Sequence, residues 1–154
     1  MDPVDVAILD ILQEEGRKPV SDIAREVGLS APSVSERIKK LTKEGIIKRY
    51  VAVLDEKKVG KELTAFINVS ISNPKHMPEF ASRMRQLTDV LECHHVTGQF
   101  TYILKVRAKN PSVLEDLISN KIRSIDGVTG TLTNVVLSSA KEGTRLNLNG
   151  ILTE

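Results

Sequence analysis

The residue pattern predicts an α+β chain of two domains, a winged helix-turn-helix followed by a ferredoxin-like βαββαβ unit. Three observations carry that expectation. Residues 19–49, PVSDIAREVGLSAPSVSERIKKLTKEGIIKR, run as a short helix, a glycine turn, a helix that gathers basic side chains and a basic, β-prone segment. From Leu63 onward the hydrophobic period changes from that of a helix to two. Between these lies DEKKVGKE, charged and without an apolar pattern. This places a winged-helix domain at residues 1–54, a linker at 55–62 and the second domain at 63–154.

Taken in order, Val4, Ile8, Ile11 and Leu12 recur at helical spacing, so residues 4–14 read as an amphipathic helix closed by Gly16. Pro19 suits the first position of a second helix, where its missing N–H costs nothing. That helix turns Ile23, Ala24 and Val27 inward and stops at Gly28. Ser30 supplies an N-cap hydroxyl and Pro32 lies in the first turn of a third helix, which ends near Glu44 with Gly45 beyond it. Residues 46–54 alternate and are β-branched, which suggests a wing or a pairing strand.

In the second half Leu63, Ala65, Ile67, Val69 and Ile71 face one way along a strand. Met77, Phe80, Ala81, Met84 and Leu87 restore a helical stripe. Strands at 90–96 and 101–108 follow, joined by a tight turn at Gly98 and Gln99. Asn110 and Pro111 signal another helix, with Leu114, Leu117, Ile118 and Ile122 inward. Gly127 precedes a last strand at 131–138, which completes the split βαββαβ order. Residues 145–148 offer a further short strand.

Composition narrows the function. At 154 residues with 40% hydrophobic content the chain can bury a core, built from Ile, Leu, Val and Ala because aromatics are only 3%. Net charge is +2, too small for a general polyanion binder. The distribution says more: Arg37, Lys39, Lys40, Lys43, Lys48 and Arg49 lie close together against the single acid Glu44. Acids gather instead near the start, at Asp2, Asp5, Asp10, Glu14 and Glu15. One cysteine excludes an intramolecular disulfide and points to a reducing compartment. The acidic start is unlike a signal peptide and no apolar run suits a membrane span, so a cytoplasmic protein without a membrane partner is expected.

At 100° per residue Val34, Ile38 and Leu41 share a narrow apolar arc of the third helix. Pro32, Ser33, Glu36, Lys39, Lys40 and Lys43 take the opposite arc, with Ser35 and Arg37 on the flanks. Small hydroxyls near the helix start, from Ser30 onward, suit base edges, and Glu36 can accept from a cytosine amine. Lys39, Lys40 and Lys43 suit phosphates, as do Lys48 and Arg49 from the wing. One such unit reads few bases. A twofold dimer on double-stranded DNA would read a pseudo-palindromic site with half-sites about 10 bp, or a multiple, apart.

Two segments, SDIAREVGLSAPSVSERIKKLTKEGIIKRY and VLECHHVTGQFTYILKV, make the chain resemble the Lrp/AsnC (feast/famine) family of transcriptional regulators over nearly its whole length. The second is the more specific, since many unrelated regulators carry a winged helix. The resemblance implies a C-terminal ferredoxin-like RAM domain that dimerises through its sheets, with dimers assembling into tetramers, octamers or hexadecamers. It also implies an amino acid or related metabolite as effector, bound by the loop of Val96, Thr97, Gly98, Gln99, Phe100, Thr101 and Tyr102. Many members carry an acid three positions after the glycine, where it meets an ammonium group. Here that position is Thr101, and an unusual, weakly bound or absent effector is expected. Gly98 has two compatible readings, a tight turn needing positive φ and close backbone approach of a ligand.

His94 and His95 are neighbours on a strand, point to opposite faces and cannot share one metal ion. His76 has no partner at ligand spacing, so neither a metal nor a cofactor is expected. Cys93 reads as a small apolar residue without a base to activate it. Two alternatives to a metabolite-tuned regulator remain: an architectural DNA-compacting protein and an enzyme similar to the sirohaem decarboxylases. The outward basic helix argues against the enzyme.

Overall fold

A computed structural model describes residues 1–150. The chain divides into two compact units, one of Met1–Val53 with the chain from Lys141 on, the other of Leu54–Ala140.

Three helices make the first unit: α1 (Pro3–Glu14), α2 (Val20–Val27) and α3 (Ala31–Lys43). Each apolar stripe delivers what its spacing promised, since Ile8, Ile23, Ala24 and Val34 form one buried cluster flanked by Leu12, Val27 and Ile38. Two of the three starts are fixed by side-chain caps. Ser30 Oγ accepts from the Ser33 N–H at 3.3 Å, and Asp2 and Asp5 each accept from the other's N–H at 2.8 and 3.0 Å.

Residues 46–54, expected as a wing or pairing strand, carry no ladder. Their first two amides close α3 instead: Ile46 and Ile47 both donate to the Leu41 carbonyl, at 3.0 and 3.2 Å. Residues 145–148 likewise form no strand. The Leu146 N–H donates to Gln13 Oε1 at 2.7 Å, and Gln13 Nε2 donates back to the Leu146 carbonyl at 3.2 Å. A side-chain amide thus stands where a neighbouring strand's peptide would, and Arg145 pairs with Asp10 and Glu14. For these reasons the tail belongs with the helices, not with the sheet domain drawn as 63–154. Residues 151–154 of that range lie outside the described residues.

The second unit is a four-stranded antiparallel sheet in the order β2-β3-β1-β4, with β1 (Leu63–Ile71), β2 (Val90–His95), β3 (Tyr102–Ala108) and β4 (Val128–Val135). Helix α4 (Met77–Gln86) and helix α5 (Pro111–Asp116), which runs on as a π-turn at Leu117–Ile122, connect them in βαββαβ order. Ala65, Ile67 and Val69 of β1 and Leu104, Val106 and Ala108 of β3 bury one face together with Phe80, Met84, Leu114 and Leu117 from the helices. The last strand starts at Val128, three residues before the alternation indicated, because Gly130 breaks the apolar pattern while still pairing with Ser70. Gly127 turns the chain into it with φ +89°; a Cβ there would lie 2.4 Å from His76 Cγ, so both backbone and packing demand glycine.

Alternation sends Phe66, Asn68, Ile103 and Lys105 to the opposite face, where Phe66 pairs with Lys105 and Asn134, and Asn68 with Ile103 and Leu132. Neither helix covers that face, and Leu132 is 51% exposed.

Candidate nucleic-acid interface and effector loop

Pro32, Ser33, Glu36, Lys39, Lys40 and Lys43 are exposed on α3, and Ser35 is half-buried, as the helical projection required. Their electrostatics are open. Lys39 Nζ meets Glu36 Oε1 at 2.8 Å, and Lys40 lies 3.9 Å from Glu44. Exposed pairs of this kind are worth roughly 0.2–1 kcal/mol, so a phosphate or base edge can displace either partner at little cost. Ser30 caps the helix and its hydroxyl also donates to Ser33 Oγ at 3.0 Å, which ties together the two small polar groups nearest the helix start. Lys48 and Arg49 are exposed on the segment that leaves α3. Lys40, Lys43, Lys48 and Arg49 therefore follow one another from the helix into the stretch beyond it.

Arg37 behaves differently. Its Nη1 donates to Asp2 Oδ2 at 2.6 Å and to Asp5 Oδ1 at 2.7 Å. Asp5 is 6% exposed, and the two carboxylates are those of the cap on α1. Expected among the DNA contacts, Arg37 is half-buried and turned to these two acids. The backbone N–H of Asp5 and the Arg37 guanidinium together hold the Asp2 carboxyl below the usual carboxylate range. Neither acid was expected to matter, although Asp2 followed by Pro3 repeats the cap-plus-proline signal of Asn110 and Pro111.

The loop between β2 and β3 is pinned at its base. Val96 N–H donates to the Thr101 carbonyl at 3.0 Å and Thr101 N–H to the Val69 carbonyl at 2.9 Å. Thr101 Oγ1 accepts from the Ile71 N–H at 3.1 Å, beside the register shift of β1. Gly98 holds φ +114° with nothing within 4 Å of where a Cβ would stand, which accounts for its turn and leaves its outer side open. Thr97, Gly98 and Gln99 are exposed, with Val96 and Phe100 half-buried. Tyr102 departs from the expected set: it is 5% exposed, and its ring packs 4.9 Å from Phe80 and 5.4 Å from His95, between centroids. A side chain so placed is core.

Cys93 packs against the core, and burial pushes its thiol up, which keeps it from acting as a nucleophile near neutrality. His94 lies 3.2 Å from Glu92 on the open sheet face. Among the described residues no three His, Cys, Asp or Glu side chains converge as metal ligands, and no helix is long and apolar enough to cross a membrane.

Comparison with known proteins agrees with this geometry at both ends of the chain. A winged helix-turn-helix DNA-binding profile matches residues 1–48, and an Lrp/AsnC ligand binding domain profile matches residues 64–146. The chain is 36% identical over 146 residues to the HTH-type transcriptional regulator FL11 of Pyrococcus horikoshii, covering 95% of each. It is 38% identical over 144 residues to the proline dehydrogenase transcriptional activator of Rhizobium radiobacter, covering 92% of each. Among solved structures, a Neisseria meningitidis transcriptional regulator in complex with L-methionine superposes with a TM-score of 0.95 at 32% identity, covering 99% of both chains. The AsnC protein of Escherichia coli does so with a TM-score of 0.88 at 26% identity, covering 94% of this chain and 97% of that one.

Proposed function

The chain belongs to the Lrp/AsnC family of DNA-binding transcriptional regulators, and from that premise we propose how its residues divide the work. Helix α3 is the reading helix. Ser33 and Glu36, with Pro32, Ser30 and Ser35 beside them, face base edges; Lys39, Lys40, Lys43, Lys48 and Arg49 hold the phosphate backbone. The observation that carries this is the coincidence, on one helix and its exit, of a capped start, small polar groups near it and exposed cations further on.

The protein acts as a homodimer on a pseudo-palindromic site, in the cytoplasm where a bacterial or archaeal chromosome lies. The uncovered sheet face with Phe66, Ile103 and Leu132 supports pairing through the sheets; dimers then assemble to tetramers or octamers. The loop of Val96, Thr97, Gly98, Gln99, Phe100 and Thr101 takes the effector. The L-methionine complex of the Neisseria protein suggests an amino acid, and with Thr101 where many members carry an acid such a ligand binds weakly here, or an unusual effector takes its place. The role is regulatory and not enzymatic, since an enzyme has no use for lysines kept outward along α3.

Selection of bound fragments from random DNA tests the whole reading. An enriched twofold motif is expected. Lys40→Ala should weaken binding to every sequence and lower the salt slope by roughly one, while Ser33→Ala or Glu36→Ala should change preference between sequences. Salt-dependent binding with no enriched motif would turn the assignment toward an architectural, DNA-compacting role.

A further inference from the structure

Among the described residues Asp5 is the only charged side chain that is buried. A carboxylate removed from water needs a cation and hydrogen bonds, or it forfeits several kcal/mol. It obtains both from Arg37, whose single Nη1 bridges it to Asp2. The two acids are locked in turn by exchanging backbone hydrogen bonds at the first turn of α1. The guanidinium thus ties one fixed point on α1 to the middle of α3. Arg37 is one turn from Ser33 and three residues from Lys40, and a groove at that end of α3 is lined by Asp2, Asp5, Pro32, Ser33, Arg37 and Lys40. The anchor of the helix thus lies one turn from Ser33 and next to Glu36.

We propose that Arg37 is a positioning residue: its ion pairs with Asp2 and Asp5 set the roll of α3 on α1, and it makes no contact with DNA. The inference rests on α3 being the reading helix. Two features of the site follow from it. A rotation of α3 about its own axis would swing Ser33 and Glu36 off the bases while leaving the flexible lysines within reach of phosphates, so specific binding depends on the clasp far more than non-specific binding does. Arg37 also cancels one of two carboxylates that would otherwise stand unpaired beside the incoming polyanion.

Binding of the full-length protein to its selected site and to random duplex, each over a salt series, tests this for Arg37→Gln, Lys40→Ala and the double variant Asp2→Asn/Asp5→Asn. The double variant keeps the arginine and frees it. Arg37→Gln should lose tenfold or more on the specific site, keep the wild-type salt slope and bind random duplex nearly as before. The double variant should show the same loss of specificity, and it carries the test should Arg37→Gln not fold. A slope lowered by about one in Arg37→Gln, or specific binding left intact or tightened in the double variant, would make Arg37 a phosphate contact and overturn the proposal. If Lys40→Ala and Arg37→Gln both leave slope and specificity unchanged, α3 is not the reading helix and the inference goes with it.

Discussion

Thr101 shows how a single side chain narrows what a loop can sense. Its Oγ1 already accepts a hydrogen bond from the Ile71 N–H, so toward a ligand it keeps one proton to donate and one lone pair, but no negative charge. From His94 to Tyr102 no acidic side chain is present. A cationic ammonium group brought to this loop loses water without gaining a counter-charge, and that exchange is unfavourable. Calorimetric titration with the twenty amino acids should accordingly give weak or no binding; tight binding of one of them, abolished in Thr101→Ala, would show the opposite. Asp2 makes the second prediction at this scale. Its carboxyl is depressed in the folded protein by the Asp5 N–H first and Arg37 second. A depressed acid stabilises the fold above its unfolded value of about 4 and loses that contribution as pH falls further. Thermal melts should therefore separate Asp2→Asn from wild type at pH 6, and the gap should narrow steadily as pH falls below about 4. Of these residues Thr101 was legible in the sequence by its place after Gly98, whereas the pairing of Arg37 was not. Spacing put Arg37 on the flank of its helix, but its partners are more than thirty residues away and meet it only when α1 packs against α3.

The elements were legible wherever a cap and an apolar stripe agreed. Ser30 with Pro32 and Asn110 with Pro111 marked two helix starts, and both caps are made in the structure, at 3.3 and 3.0 Å. The βαββαβ order followed from two changes of period. Segments whose form depends on a neighbour were not legible. Residues 46–54 have the β-branched composition of a strand but no partner strand among the described residues, and Leu146 exchanges its backbone hydrogen bonds with Gln13. The π-turn at Leu117–Ile122 left no mark in the spacing, because Leu114, Leu117 and Ile122 remain buried through it. Stability at this scale rests on two separate clusters, and the smaller is that of the helices. Ile23 is fully buried there, and truncation of such a residue typically costs 2–5 kcal/mol. Ile23→Ala should lower the midpoint of the first unit's unfolding in calorimetry. Leu104→Ala, equally buried in the sheet unit, should act on the other transition. If both variants shift one shared transition equally, the two clusters unfold as one.

On the scale of the molecule, the proposed pairing through the open sheet face would set how many copies of α3 act together. Cross-strand register sets Ile103, Asn68 and Leu132 in one row and Lys105, Phe66 and Asn134 in the next. Glu92 stands beside Lys105 at the edge of the same face, 3.8 Å away. Phe66, Ile103 and Leu132 give this face apolar area while Asn68, Lys105 and Glu92 lie among them, and such a mixed surface can meet a twofold copy of itself. Leu132 is half exposed in the single chain, so replacing it with glutamate should change the fold's own stability by no more than about 0.5 kcal/mol. In a twofold interface the same substitution buries two like charges near each other, which costs far more than a lost leucine contact. Leu132→Glu should therefore sediment as a monomer with an unchanged melting profile for its sheet unit. Its binding to a full twofold site should fall to the level of a half-site, because one winged helix reads too few bases to hold alone. A Leu132→Glu protein that stays dimeric would move the interface off this face, and with it the spacing expected between the two copies of α3.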